Sequence, residues 1–70
     1  MYRLIPDNPI YGPAQGVTRV DDNTYVPYAI DNSDYQNFKT QINDETAQLE
    51  TADGVLMTPE EAKAYVATLP

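Results

Sequence analysis

The sequence predicts an α+β fold, in which small β-hairpins pack against two short α-helices and an extended proline-rich segment lies at the N-terminus. Two observations carry this prediction. Strand-forming residues alternate with turn residues near the N-terminus, and two later segments place apolar residues at helical spacing behind N-cap residues. With 70 residues, the chain is expected to form a single domain.

Residues 1–16 are predicted to form an extended, proline-rich arm. Strand-forming residues open the arm, and residues 6–16 then hold three prolines and two glycines. Proline fixes φ and removes an amide donor, so this stretch suits neither a helix nor an inner strand. Ile10 and Tyr11 are its only residues with enough apolar area to dock on another surface.

A β-hairpin is predicted over residues 17–27. Two runs of strand-forming residues flank Asp21-Asp22-Asn23, and asparagine tolerates the positive φ that tight hairpin turns require. Pro27 ends the second run or places it at a sheet edge. Because a lone hairpin is only marginally stable, it must pack on a helix or pair with another strand.

The spacing of apolar residues predicts a helix over 33–44. Several N-cap side chains precede it in the run Asp31-Asn32-Ser33-Asp34. Tyr35, Phe38 and Ile42 follow at i, i+3 and i+7, and this stripe is expected to be buried against the hairpin.

The segment 46–57 has two interpretations. Apolar runs flank Asp53-Gly54, a pair typical of hairpin turns, which predicts a second hairpin. Alternatively, the first helix continues to about residue 50 and the same pair forms its exit turn. Thr46 and Thr51 favour the hairpin, because threonine suits strands better than helix interiors.

A second helix is predicted over 59–68 from a strong start signal. Thr58 is the expected N-cap, Pro59 the first helical residue, and Glu61 the partner that completes a capping box. The apolar face of this helix is expected to consist of Ala62, Tyr65, Val66 and Leu69.

The charge of the chain is strongly acidic and unevenly distributed. Eleven acidic residues face four basic ones, and eight of the acidic residues lie in residues 31–70. Too few basic residues are present for a nucleic-acid or anionic-membrane surface, so a basic partner or simple solubility is expected. No apolar run approaches a membrane span and the N-terminus lacks an apolar signal region, which predicts a soluble protein.

The composition excludes many catalytic chemistries. The chain has no histidine, cysteine or tryptophan, so it cannot build a Ser-His-Asp or Cys-His system, a His/Cys zinc site or a haem ligand set. The clusters Asp21-Asp22-Asn23 and Asp31-Asn32-Ser33-Asp34 lack the order of a calcium loop, and turns and capping account for them. We expect no enzyme activity, no catalytic residue, no metal and no cofactor.

Six tyrosines against one phenylalanine point to half-buried positions and interfaces. Tyr35 and Tyr65 lie on helix stripes and are expected in the core. The residues predicted to contact a partner are Ile10, Tyr11, Tyr25 and Tyr28. A chain this short rarely gains more than about 3–5 kcal/mol from its core, so docking on a partner or homo-oligomerisation is expected to complete it.

Three groups of residues resemble a short domain common among tailed bacteriophages and prophages. That domain recurs as M-Y-K-L near its start, R-x-x-D-x-x-x-I-P across a hairpin and N-x-D-Y-x-x-[YF] at the opening of a helix. The matching residues lie within 1–5 and 17–42: Met1-Tyr2-Arg3-Leu4, then Arg19, Asp22 and Val26-Pro27, then Asn32, Asp34, Tyr35 and Phe38. The insert at 6–16 and the segment 46–70 depart from the pattern.

The resemblance implies a small accessory protein of the phage structural region, often associated with tail or tail-fibre genes, and it implies no catalytic residue. The leading hypothesis is a non-enzymatic virion protein, made in the host cytoplasm, that docks on a larger tail or capsid protein. The acidic second half supports an alternative, a DNA-mimicking inhibitor of a host nucleic-acid-handling enzyme, of the anti-restriction or anti-CRISPR type. A capsid decoration protein or a tail-fibre assembly chaperone is a further alternative.

Overall fold

The computed structural model describes residues 1–70 and contains one four-stranded mixed sheet and two α-helices, which confirms the α+β class. The elements are β1 (Tyr2–Leu4), β2 (Gly16–Arg19), β3 (Thr24–Pro27), α1 (Ser33–Asn43), β4 (Leu49–Glu50) and α2 (Pro59–Val66). The strands lie in the order β3-β2-β1-β4. β1 is antiparallel to β2 and parallel to β4.

The register of the strands gives the sheet an apolar inner face and a more polar outer face. The inner face carries Tyr2, Leu4, Val17, Val26 and Leu49, with Arg19 and Thr24 at the end next to the hairpin turn. The outer face carries Arg3, Thr18, Tyr25 and Glu50. Successive side chains of a strand point to opposite sides, so the two sets cannot exchange without a one-residue slip. On the outer face, Arg3 Nη2 lies 2.8 Å from Glu50 Oε1 across the parallel pair.

One core forms between the inner face of the sheet and the two helices. Its nine buried side chains are Tyr2, Val17, Val26, Tyr35, Phe38, Ile42, Leu49, Ala62 and Val66. The rings of Tyr2 and Phe38 meet edge to face with their centroids 4.8 Å apart. The whole predicted stripe of α1 is in this core, whereas Tyr65 and Leu69 of the second predicted face pack against its margin.

The local signals for the helix starts are confirmed. Asn32 caps α1, because its side-chain oxygen accepts a hydrogen bond from Tyr35 N at 3.1 Å. Thr58 and Glu61 form both bonds of the capping box at α2, and these bonds lower the pKa of the Glu61 carboxyl. α1 ends one residue and α2 two residues before the predicted boundaries of 33–44 and 59–68.

The hairpin predicted over 17–27 is formed by β2 and β3, and it begins one residue earlier. Asn23 in its turn has φ 54°, the left-handed conformation for which asparagine was expected. Gly16 is required by close packing at the start of β2. A Cβ atom there would lie 2.6 Å from the carbonyl oxygen of Val26 and 2.7 Å from the ring of Tyr25.

The segment 46–57 contains the hairpin and not a longer helix. Thr51 N donates to Val55 O at 2.8 Å and Met57 N donates to Leu49 O at 2.9 Å, which pairs the two arms of a short hairpin over residues 49–57. Gly54 in its turn has φ 85°, a conformation that favours glycine. The sequence did not indicate that the first arm, β4, also pairs in parallel with β1.

The predicted extended arm over 1–16 is not observed. Its first residues form β1 inside the sheet, and residues 8–12 form a closed turn. Asn8 N donates to Gly12 O at 2.9 Å, and Gly12 N donates to Asn8 O at 2.7 Å. Gly12 closes the turn with φ 89°. The count of prolines correctly excluded a helix, but it could not reveal the turn that Asn8 and Gly12 make between them.

Candidate protein-docking site

The turn at residues 8–12, here called the docking turn, holds two large apolar side chains in solvent. Ile10 is 83% exposed and Tyr11 is 86% exposed. Asn8 Oδ1 accepts hydrogen bonds from the amides of both residues, at 2.8 Å from Ile10 N and 3.1 Å from Tyr11 N. The turn is therefore ordered by its own polar groups, while its apolar side chains contact little of the rest of the molecule.

Tyr25, the third residue predicted to contact a partner, lies on the outer face of the sheet and is 55% exposed. Its ring covers Gly16 of the neighbouring strand, where a Cβ atom would clash with it. A diagonal cross-strand neighbour is within reach of an aromatic side chain, so the ring packs on the glycine. Tyr25 therefore has a structural role in addition to the predicted contact.

Tyr28, the fourth predicted contact residue, is partly buried against the core. Its hydroxyl lies 2.7 Å from the hydroxyl of Tyr65, and its ring centroid lies 5.6 Å from that of Tyr35. Burial, aided by the hydrogen bond to Tyr65, raises the pKa of the Tyr28 phenol. Tyr28 is therefore packed against the core, unlike the exposed Ile10 and Tyr11 of the docking turn.

The main-chain oxygen of Pro70 is held by two side chains of α1. Tyr35 Oη and Lys39 Nζ each donate to it at 2.7 Å. Lys39 Nζ also lies 5.1 Å from the centroid of the Tyr35 ring, within the range of a cation–π contact. These contacts tie the last residues of the chain to the first helix.

The basic residues of the first half offset part of the acidic second half. Arg3 pairs with Glu50, and Arg19 Nη1 lies 3.2 Å from Asp34 Oδ1. Lys63 Nζ lies 2.8 Å from Glu45 Oε2. The acidic residues that pair with no cation are Asp7, Asp31, Asp44, Asp53, Glu60 and Glu61. The folded chain therefore has a less one-sided charge distribution than the sequence indicates.

Arg19 connects the first hairpin to the start of α1. Its guanidinium donates to both carboxylate oxygens of Asp22, at 2.9 and 2.8 Å, and to Asp34 at 3.2 Å. This bidentate bond lowers the pKa of the Asp22 carboxyl to about 2. Arg19, Asp22 and Asp34 together therefore hold the hairpin turn against the N-terminal end of α1.

We expect the substitution Asp22→Asn to destabilise the chain at neutral pH and to have little effect near pH 2. A carboxylate whose pKa is lower in the folded state stabilises it above the unfolded-state pKa of about 3.9. That stabilisation is lost as the pH falls towards about 2, the pKa of Asp22 in the folded chain. Urea unfolding between pH 7 and pH 2 would measure the difference, with a lower midpoint for the variant only at the higher pH.

The matched control for this prediction is Asp53→Asn. Asp53 is exposed in the turn of the second hairpin and pairs with no cation, and Asn-Gly supports the same turn as Asp-Gly. If the difference in urea midpoint between Asp22→Asn and wild type stayed constant down to pH 2, the assigned role of the carboxylate would be contradicted.

Other exposed apolar residues were not among the predicted contacts. Val55 and Leu56 lie in the second hairpin and are 62% and 51% exposed, and Ile30 precedes α1. The predicted second hairpin places Val55-Leu56-Met57 in its second arm, but the partner strand β4 is only two residues long, so most of this run lies outside the sheet. The short length of the strand, which the sequence does not reveal, is the reason that the exposure of Val55 and Leu56 was not predicted.

No group of three or more Asp or Glu side chains lies close enough together to hold a metal ion. Neither helix is long and apolar enough to cross a membrane. The one cavity of the surface is an apolar groove beside the second hairpin. Comparison of the chain with protein-family models, curated proteins and solved structures finds no significant match.

Proposed function

We propose that this chain is a small non-enzymatic accessory protein of a tailed-bacteriophage virion, which docks on a larger tail or capsid protein through the docking turn. The observation that carries the proposal is the exposure of Ile10 and Tyr11 on a turn already held by Asn8. A preordered loop loses little entropy on binding, so its apolar side chains can contribute most of their burial energy to the complex.

The composition of the turn suits a protein partner. Tyrosine is enriched at the centres of interfaces because it combines a large apolar ring with a polar hydroxyl. Tyr25, exposed on the outer face of the sheet, is the predicted additional contact. Tyr28 contributes less to this proposal, since its hydroxyl is already bonded to Tyr65.

The virion assignment rests on the resemblance to the short phage domain. A tail position is preferred and capsid decoration is the second choice, because the domain is often associated with tail or tail-fibre genes. A homo-oligomer on the larger protein is compatible with either position.

The ion pairs weigh against the alternative of a DNA mimic. Such an inhibitor needs carboxylates spaced along one face and free of neighbouring cations. Here Asp22, Asp34, Glu45 and Glu50 are engaged by arginine or lysine, and Glu61 caps a helix. Binding to a host nucleic-acid-handling enzyme in low salt, where such attraction is strongest, would revive this alternative.

The direct test is mass spectrometry of purified virions of the phage that encodes the chain. We expect the wild-type chain in intact particles and at least a tenfold loss of the double variant Ile10→Ser/Tyr11→Ser, because these side chains supply the buried contact area. Both positions are exposed, so the folded chain should keep its stability within about 0.5 kcal/mol.

The control for this experiment is Ile30→Ser, which removes an exposed apolar side chain outside the docking turn. This variant should enter particles at the wild-type level. A chain that is present in infected cells and absent from particles would contradict the virion proposal and favour the assembly chaperone.

A further inference from the structure

An apolar groove lies where the C-terminal end of α1, the second hairpin and the start of α2 meet. Its volume is about 390 Å³, which is within the range of sites that bind small molecules or single large side chains. Its apolar lining consists of Ile42, Ala47, Leu49, Leu56, Met57 and Ala62. A 70-residue chain has little apolar area to spare, so an open groove of this size is a feature to be explained.

The floor and the rim of the groove differ in exposure. Ile42 and Leu49 in the floor are buried and belong to the core. Leu56 in the wall is 51% exposed, and its neighbour Val55 is 62% exposed. The buried floor residues are therefore held in place by the fold. The exposed side chains of Leu56 and Val55 offer apolar area that a bound segment would remove from water.

The surroundings of the groove are acidic. Glu45 lines it, and Asp44 and Glu60 directly adjoin lining residues in the chain. Neither Asp44 nor Glu60 pairs with a cation. The nearby basic residue Lys63 is bound to Glu45 at 2.8 Å, so its charge is already engaged. One carboxylate thus lines the groove, two unpaired carboxylates adjoin lining residues in the chain, and the ammonium group of Lys63 is already paired with Glu45.

We infer that this groove binds a segment of a partner protein in which a large apolar side chain is flanked by lysine or arginine. The apolar side chain would fill the groove and contact Leu56, while the flanking cations would meet Asp44 and Glu60. Charge complementarity of this kind raises the association rate and excludes acidic segments. The inference rests on the proposed function only in that the chain binds protein, and it concerns a surface distinct from the docking turn.

A second copy of the chain does not fit the groove. Each copy carries a formal charge of -7, and the same acidic residues would surround both sites. Three of its four basic side chains are held in ion pairs, by Arg3 with Glu50, Arg19 with Asp22, and Lys63 with Glu45. The fourth, Lys39, donates to Pro70. The chain therefore cannot supply the basic, apolar segment itself without breaking these contacts.

The inference is tested by titrating the full chain with the synthetic peptide Ac-GKKLWLKKG-NH2. The chain has no tryptophan, so the emission of the peptide tryptophan reports its burial without interference. Amide chemical shifts of the ¹⁵N-labelled chain locate the site. We expect a blue shift of the emission, shift changes centred on the groove, and at least tenfold weaker binding of Ac-GEELWLEEG-NH2. Higher salt should weaken the binding of the basic peptide.

Two matched variants separate the groove from the docking turn. Leu56→Gln should weaken peptide binding at least tenfold, whereas Ile10→Gln should leave it within twofold of wild type. Glu60→Gln should weaken it about threefold through loss of one carboxylate. Both Leu56 and Ile10 are exposed, so urea unfolding should find both variants folded.

The inference would be overturned by equal binding of the basic and acidic peptides, by equal loss in Leu56→Gln and Ile10→Gln, or by shift changes confined to residues 8–12. Absence of binding at millimolar peptide would also overturn it. Failure of the virion experiment would leave these results unaffected, because the peptide titration measures binding at the groove of the isolated chain and needs no virion. The two proposals can therefore fail separately.

Discussion

The substitution Phe38→Ala is expected to leave most of the chain unfolded in water at 25 °C. Phe38 is fully buried, and its ring packs against Tyr2 of β1 with centroids 4.8 Å apart. Removing a buried phenylalanine side chain costs about 3–5 kcal/mol through lost burial and the cavity that remains. A core of this size supplies about the same free energy of folding, so little would be left.

Far-UV circular dichroism during urea unfolding would measure this effect. The control is Ile30→Ala, which shortens an exposed apolar side chain that is not part of the core. It should change the free energy of unfolding by less than about 0.5 kcal/mol. If Phe38→Ala has no folded baseline, trimethylamine N-oxide should restore one and allow comparison with wild type under the same conditions. Equal midpoints for the two variants would contradict the central position of Phe38.

The second large effect is expected for Leu49→Ala. Leu49 is fully buried in β4, where it lies opposite Tyr2 of β1 and accepts a hydrogen bond from Met57 N at 2.9 Å. Truncating a buried leucine costs about 2–5 kcal/mol. The loss should act on the second hairpin first, because β4 is only two residues long and Leu49 is its buried anchor.

The matched control for Leu49→Ala is Leu56→Ala in the opposite arm of the same hairpin. The two substitutions remove the same atoms. Because Leu56 is 51% exposed, Leu56→Ala should lower the free energy of unfolding much less than Leu49→Ala does. Hydrogen exchange adds a local measurement, since the amides of Thr51 and Met57 should exchange faster in Leu49→Ala than in Leu56→Ala. Similar losses in both variants would mean that β4 does not anchor the hairpin.

The sequence predicted those parts of the fold that depend on near neighbours. Thr58 and Glu61 of the capping box are three positions apart, and the stripe of Tyr35, Phe38 and Ile42 covers two turns of one helix. The turn at Asn23 is likewise a local feature, because it requires one residue that tolerates a positive φ and asparagine does so. Both partners of such an interaction lie within a few residues of each other, so a linear pattern contains the information needed to predict it, although packing is still needed to stabilise the element.

The candidate site was predicted only in part. Ile10 and Tyr11 were identified because they are the only large apolar residues in a stretch that proline removes from regular structure. Their exposure on a closed turn depends on the hydrogen bonds of Asn8 and the positive φ of Gly12. The proline pattern gives no indication of either. Tyr28 was grouped with them by its position beside Pro27, but the structure packs it against Tyr65.

By itself, the sequence determined the α+β class, the two helix starts, the first hairpin and the apolar residues of the docking turn. Only the tertiary structure decided that β4 pairs in parallel with β1, 47 residues away along the chain, and that a groove opens beside Leu56. Local signals arise from bonds between residues a few positions apart. Pairing of distant strands depends instead on how the buried side chains of the whole domain fill one core, and no short segment contains that information.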